Sequence, residues 1–327
     1  MHTQIAHCCH LPLLIPMKYK HHKSNFMKKT ALYILCFSTL CFLGYMMNTL
    51  CSVNPEPDII LEKMESIKLD KPNFDGMYKA SSKKNEINLE FRSKSPNDIT
   101  DDEEWLNKYS SGMSPKVTYT FTPGGVHAPQ EIKKIVPTKY YGLYRRYIEM
   151  MDGYNVIYYG KKYSSGDFGV SPELIVVTDS SINKVIHAFD FLNFSHPQDS
   201  YNSFAEFYVS EVQIENDVLY ACWSHDTYSK FSNGYNAYLL AIDLKTSTLK
   251  WMTKPLTCNS GFQIYKDVIL TGYGFTDEKD YVYVIDKETG DRILTRAVDK
   301  APGYFSVIED KLYVRTYSLD YTFQIIE

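Results

Sequence analysis

Cysteine is scarce in the greater part of this chain. Of seven cysteines in 327 residues, only Cys222 and Cys258 lie beyond residue 51. That leaves room for one disulfide and none for a disulfide framework. An excess of positive charge is missing too. The first 51 residues carry five lysines and no acid, so 30 basic residues face 39 acidic ones in the remainder. The balance argues against nucleic acid or an anionic membrane surface as partner of the folded part. Gly124 and Gly125 sit in a turn with no helical pattern behind it, so they make no phosphate cradle. The run Asp101, Asp102, Glu103, Glu104 reads as a solvated face. His7, Cys8, Cys9 and His10 with His21 and His22 fit no zinc spacing. The residues specify no catalytic set, no metal site and no cofactor.

What the chain does have is strands. It is 44% hydrophobic with 28 tyrosines, and runs of Val, Ile and Tyr favour β structure. One unit recurs: a β-rich run, an Asp-led turn and a second β-rich run. It covers residues 238–251 around Asp243, 281–294 around Asp286 and, in weaker form, 174–186 around Asp179. The Asp is expected to accept backbone N–H groups about two residues on. The position four after it wants a left-handed residue, and is Gly290, Ser247 and Asn183 in the three copies. A second pattern begins at Val212, Phe262 and Phe305, 50 and 43 positions apart: an alternating strand, a short polar turn and another strand. A four-stranded unit repeating every ~40–50 residues is the signature of propeller blades.

The expected architecture is an all-β propeller of four-stranded blades, four of them readable and five to seven in total. Residues 1–29 read as a cytoplasmic leader or a mis-assigned start, with Met17 or Met27 as alternatives. Residues 30–51 form a transmembrane anchor or signal segment, since 31–51 is a run of 21 residues without a charge behind Lys28 and Lys29. Either reading places the rest outside the cytoplasm, in the cell envelope. Residues 52–75 are a Pro-punctuated spacer. The propeller spans 76–327, with irregular blades over 76–140 and four recognisable ones over 141–327. The last blade ends after three strands, so an N-terminal strand is expected to complete it.

Residues 241–251, with Ala241, Asp243, Thr246 and Trp251, resemble the tryptophan-docking repeat of pyrroloquinoline-quinone-type β-propellers. Ser247 replaces the repeat's Gly, and the next copy keeps Asp286, Thr289 and Gly290 but has Leu294 in place of Trp. The C-terminal third is similar to quinoprotein-like repeat proteins of bacterial envelopes. The resemblance implies a fold and does not extend to the quinone site. That family's dehydrogenases carry adjacent cysteines and a Glu-Asn-Asp calcium set, whereas the only adjacent pair here, Cys8 and Cys9, precedes the apolar run.

Blade geometry puts the loops between second and third strands on one face. Those loops supply His225, Asp226, Tyr273, Phe275, Arg315 and Tyr317, a mixture of aromatic faces and charged groups suited to a small polar or carbohydrate-like ligand. Gly272 and Gly274 would permit close backbone approach. Against this stands a purely structural role, with Arg315 paired to Asp320. Trp223 and Trp251 are assigned to blade packing. Cys222 and Cys258 should lie near one face, as a possible disulfide or as two buried thiols. The sequence favours a non-catalytic binding or scaffolding module, tethered to the membrane through residues 30–51, with a protein or glycan partner in the envelope. The alternative is a glycan-active hydrolase or lyase using the same rim.

Overall fold

The computed structural model describes residues 87–109, 117–121, 125–151, 153–161, 172–194 and 206–327. The leader, the apolar run, the spacer and Gly124 lie outside the described residues. Within them, no helix is long and apolar enough to cross a membrane.

The three Asp-led turns fold for the reason their residue types suggest. Asp243 Oδ1 accepts the N–H groups of Lys245 (2.8 Å) and Thr246 (3.0 Å). Asp286 Oδ1 accepts those of Glu288 (3.0 Å) and Thr289 (2.9 Å), with the Thr289 hydroxyl at 3.1 Å. Gly290 and Ser247 are left-handed, at φ 77° and 54°. The weakest copy differs. Asp179 reaches four and five residues on, to the N–H groups of Asn183 (2.8 Å) and Lys184 (3.0 Å). Its left-handed residue is Ile182 (φ 59°), not the expected Asn183. With the carboxylate reaching further along the chain, the reversal falls one residue earlier.

Joined by these turns, the strands form consecutive antiparallel meanders. β1 (Asn88–Pro96) and helix α1 (Asp102–Tyr109) come first. β2 (Val117–Thr120), helix α2 (Gln130–Ile135) and β3 (Lys139–Tyr140) follow. The first sheet contains β4 (Leu143–Met150), β5 (Tyr154–Gly160), β6 (Pro172–Asp179) and β7 (Val185–Asp190), with β2 and β3 both paired to β4. The second is β8 (Tyr208–Glu215), β9 (Val218–Ser224), β10 (Tyr238–Asp243) and β11 (Thr248–Met252). The third is β12 (Phe262–Tyr265), β13 (Val268–Tyr273), β14 (Asp280–Asp286) and β15 (Arg292–Val298). The fourth is β16 (Pro302–Ile308), β17 (Lys311–Thr316) and β18 (Leu319–Ile326), completed by β1. The first strand of the described chain therefore closes the last sheet, pairing from Asn88 opposite Ile326 to Pro96 opposite Leu319. This is a β-propeller in which three of the described blades are four-stranded and the first carries β2 and β3 as additional strands.

Burial follows position in the blade. β13 is buried at every residue and β9 at all but its first, because their two faces each meet a neighbouring sheet. β1 is buried only at Leu89. Successive blades are pinned together along the turn face. Tyr154 donates to Asp217 (2.7 Å), Lys287 to Glu215 (2.7 Å) and Tyr265 to Asp310 (3.0 Å). Trp251 lies at 4% exposure, and its Nε1 donates to the Lys287 carbonyl at 3.1 Å across the blade boundary. A Cβ on Gly290 would come within 2.6 Å of the Trp251 ring, so only glycine leaves room for the indole. One blade earlier the position equivalent to Trp251 is His187, whose Nδ1 lies 3.2 Å from the Ser247 hydroxyl. Ser247 stands where Gly290 stands because a histidine, not an indole, docks on it.

Candidate functional site

The second-to-third-strand loops of blades two, three and four place the six candidate side chains in different environments. His225 follows β9 and is 1% exposed. Its backbone exchanges bonds with the Asn236 amide, N–H to Oδ1 at 2.9 Å and carbonyl from Nδ2 at 3.2 Å. Its Nε2 meets the Ser232 hydroxyl at 2.8 Å, and Phe207 packs edge-on at 4.9 Å. Burial pulls the imidazole down to about 4, so it is neutral at pH 7.

A chain of bonds runs from there to Tyr273. Ser232 Oγ donates to the Ser229 carbonyl at 3.2 Å. Ser229 donates its N–H (2.8 Å) and hydroxyl (2.9 Å) to Glu278 Oε1. The second oxygen of Glu278 accepts the Tyr273 hydroxyl. Burial and then Glu278 hold the Tyr273 phenol far above its ordinary range. Tyr228 and Phe275 meet edge to face at 5.1 Å, and Lys230 lies over the Tyr228 ring at 4.7 Å. Blades two and three are thus joined by a network in which His225 and Tyr273 are structural members. Gly272 and Gly274 do allow a close approach, but the approaching groups are the chain's own, Pro302 of β16 and Tyr281 at Gly272 and Asp280 and Ala301 at Gly274. Asp226 is exposed, and burial followed by its carboxylate drives the phenol of Tyr208 upward.

Arg315 has its partners elsewhere. It is 4% exposed, and α1 lies over it. Nε donates to Asp102 Oδ1 at 2.6 Å and Nη2 to the Ile99 carbonyl at 2.7 Å, while Asp320 stands 3.7 Å from Nη1. Trp105 of α1 is fully buried, against Tyr109 and Tyr304. Tyr109 stacks on Tyr313 at 4.4 Å. Tyr317, two residues after Arg315, is 90% exposed.

The sequence reading named neither Glu278 nor α1. Glu278 lies in the loop between β13 and β14, two residues before β14 begins. The signal for α1 was present: Asp101 caps the N–H of Glu104 at 2.9 Å, and Trp105 and Tyr109 recur at helical spacing. Cys222 and Cys258 are both buried free thiols, and Cys222 Sγ donates to the Cys258 carbonyl at 2.7 Å. Among the described residues, no group of three His, Cys, Asp or Glu is arranged to hold a metal ion.

No protein-family model matches the chain, and no curated protein matches it. Similar solved structures include a europium-containing methanol dehydrogenase, 13% identical with a TM-score of 0.32 over 46% of this chain and 24% of that one. BamB from Moraxella catarrhalis is 11% identical, TM-score 0.32, over 55% of this chain and 69% of that one. The β-propeller domain of Cps50 (Swd1) from Myceliophteria thermophila is 7% identical, TM-score 0.32, over 57% and 67%. This chain thus spans under a quarter of the methanol dehydrogenase's length. Likenesses of this depth carry no argument about a shared activity.

Proposed function

We propose that this chain is a membrane-tethered, extracytoplasmic β-propeller that binds or scaffolds a protein partner through the face bearing its second-to-third-strand loops. One observation carries the reading. Three of the candidate groups on that face, His225, Tyr273 and Arg315, are 1–4% exposed and engaged by the scaffold itself. Asp226 and Tyr317 stay open to solvent and Phe275 half open. A large aromatic ring presented at 90% exposure is the type of residue that anchors protein interfaces. The tether rests on the uncharged run 31–51 behind Lys28 and Lys29.

The test is the migration of the full chain, extracted from its own membranes in mild detergent, on size exclusion. The wild type is expected in a complex larger than the chain. Tyr317→Ala is expected to release it while leaving the melting temperature within about 2 °C, as surface changes do. Identical migration of the two proteins contradicts the reading. Loss of a glycan-cleaving activity in His225→Ala, with the complex intact, favours the enzyme alternative.

A further inference from the structure

Cys222 and Cys258 sit at a junction that nothing above uses. Cys222 is the fifth residue of β9 and pairs across the sheet with Leu239. Cys258 lies between β11 and β12, and its N–H donates to the carbonyl of Ala237, on the segment entering that same partner strand, at 3.1 Å. Both side chains are fully buried in one apolar cluster, and the Cys222 sulfur reaches the Cys258 carbonyl at 2.7 Å. The Cys258 sulfur is turned towards the Gly261 carbonyl, at 3.9 Å. The thiol of Cys222, raised by burial first, also feels the Cys258 side chain.

The loop holding Cys258 fastens three blades. Ser210 Oγ on blade two donates to the Ser260 carbonyl (3.1 Å), and Asn259 donates to the Gly274 carbonyl of blade three (2.7 Å). Ser260 Oγ donates to the Pro302 carbonyl of blade four (2.8 Å). We infer that Cys222 and Cys258 form an intrachain disulfide when the chain folds under oxidising conditions, cross-linking the second strand of blade two to the loop that fastens blades two, three and four. The chemistry is thiol–disulfide exchange with a disulfide oxidant. One thiolate attacks the oxidant to give a mixed disulfide, and the second displaces the reduced half. Two thiol protons and two electrons leave the protein as one oxidant disulfide becomes two thiols. Since both sulfurs are inaccessible in the folded protein, the bond forms during folding and is then shielded from reductant.

The test removes the dependence on cellular compartment. The full chain carrying Cys8→Ser, Cys9→Ser, Cys36→Ser, Cys41→Ser and Cys51→Ser is refolded in detergent with oxidised or with reduced glutathione. Free thiols are then alkylated in denaturant and the peptides mapped by mass spectrometry. The expected result is a Cys222–Cys258 peptide pair lighter by two hydrogens in the oxidised sample. That sample is also expected to melt at a higher temperature, and the bond to yield to dithiothreitol only after denaturant is added. Recovery of both cysteines alkylated from the oxidised sample overturns the inference. So does a folded Cys258→Ser protein whose melting temperature responds to oxidised glutathione as the parent's does. Because the refolding is done in vitro, a cytoplasmic location would sink the proposed function and leave this result standing.

Discussion

At the scale of single residues, the blade boundary between Trp251 and Gly290 has no spare volume. Gly290 combines a left-handed backbone with an indole where its Cβ would go. Gly290→Ala is therefore expected to cost about 3 kcal/mol, strain and overpacking together, measured by urea unfolding. A loss below about 0.5 kcal/mol would mean that the dock is not closed. The buried histidines give the molecule an acid-sensitive component. In the unfolded chain His225 takes up a proton near pH 6.5, but in the folded chain only near 4. The sign follows: the unfolded state binds the extra proton, so this contribution is complete above pH 6.5 and is lost as pH falls towards 4. Its size is about 3 kcal/mol. His187, also lowered by burial, acts in the same direction. Unfolding free energies at pH 7 and pH 4.5 should fall more steeply for the wild type than for His225→Gln, and parallel slopes would contradict the assignment.

At the scale of elements, β1 shows what pairing alone accomplishes. Its side chains are exposed but for Leu89, at 2%, and it is fixed to β18 by backbone pairing and to blade three by Arg296, whose Nε donates to the Leu89 carbonyl at 3.1 Å. Leu89→Ala should destabilise by about 2–4 kcal/mol. Phe91→Ala, at a position 56% exposed and only touching Phe323 edge-on, should cost under about 1 kcal/mol. Equal effects in denaturant titrations would refute the register. Much of this level was legible in the sequence, since Asp turns, alternating strands and the missing fourth strand of the last blade are local signals. The left-handed residue of the weakest turn was not, because the reach of the Asp179 carboxylate, rather than residue preference, decides between Ile182 and Asn183. Nor was the fate of Arg315. Its partner Asp102 lies more than 200 residues earlier, and no periodicity reports a contact of that range.

At the scale of the whole molecule, the two faces of the blades differ in how their polar groups are used. On the turn face, Tyr154, Tyr265 and Lys287 meet acids of the adjacent blade, and the carbonyls of Asp217, Asp267 and Asp310 accept the backbone N–H groups of Leu244, Lys287 and Ile325. On the opposite face the loops are tied down by Glu278 and α1, and Tyr317, Asp226 and Asp277 remain outward together with Lys230 and Lys279. The contact between the loops of blades two and three, Ser229 to Glu278, joins two of the loops the sequence groups together. Which members stay open was not legible in the sequence, because burial of His225, Tyr273 and Arg315 depends on Ser232, Glu278 and Asp102, which no spacing links to them. The proposed function makes this open rim a binding surface. The most direct measurement is photo-cross-linking in the native cell, with a photoreactive side chain placed in turn at Tyr317, Phe275, Lys250 and Glu288. The expected result is a discrete adduct of one added mass from Tyr317 and Phe275 and none from Lys250 or Glu288 on the turn face. Adducts from the turn face alone, or equally from both, would contradict it.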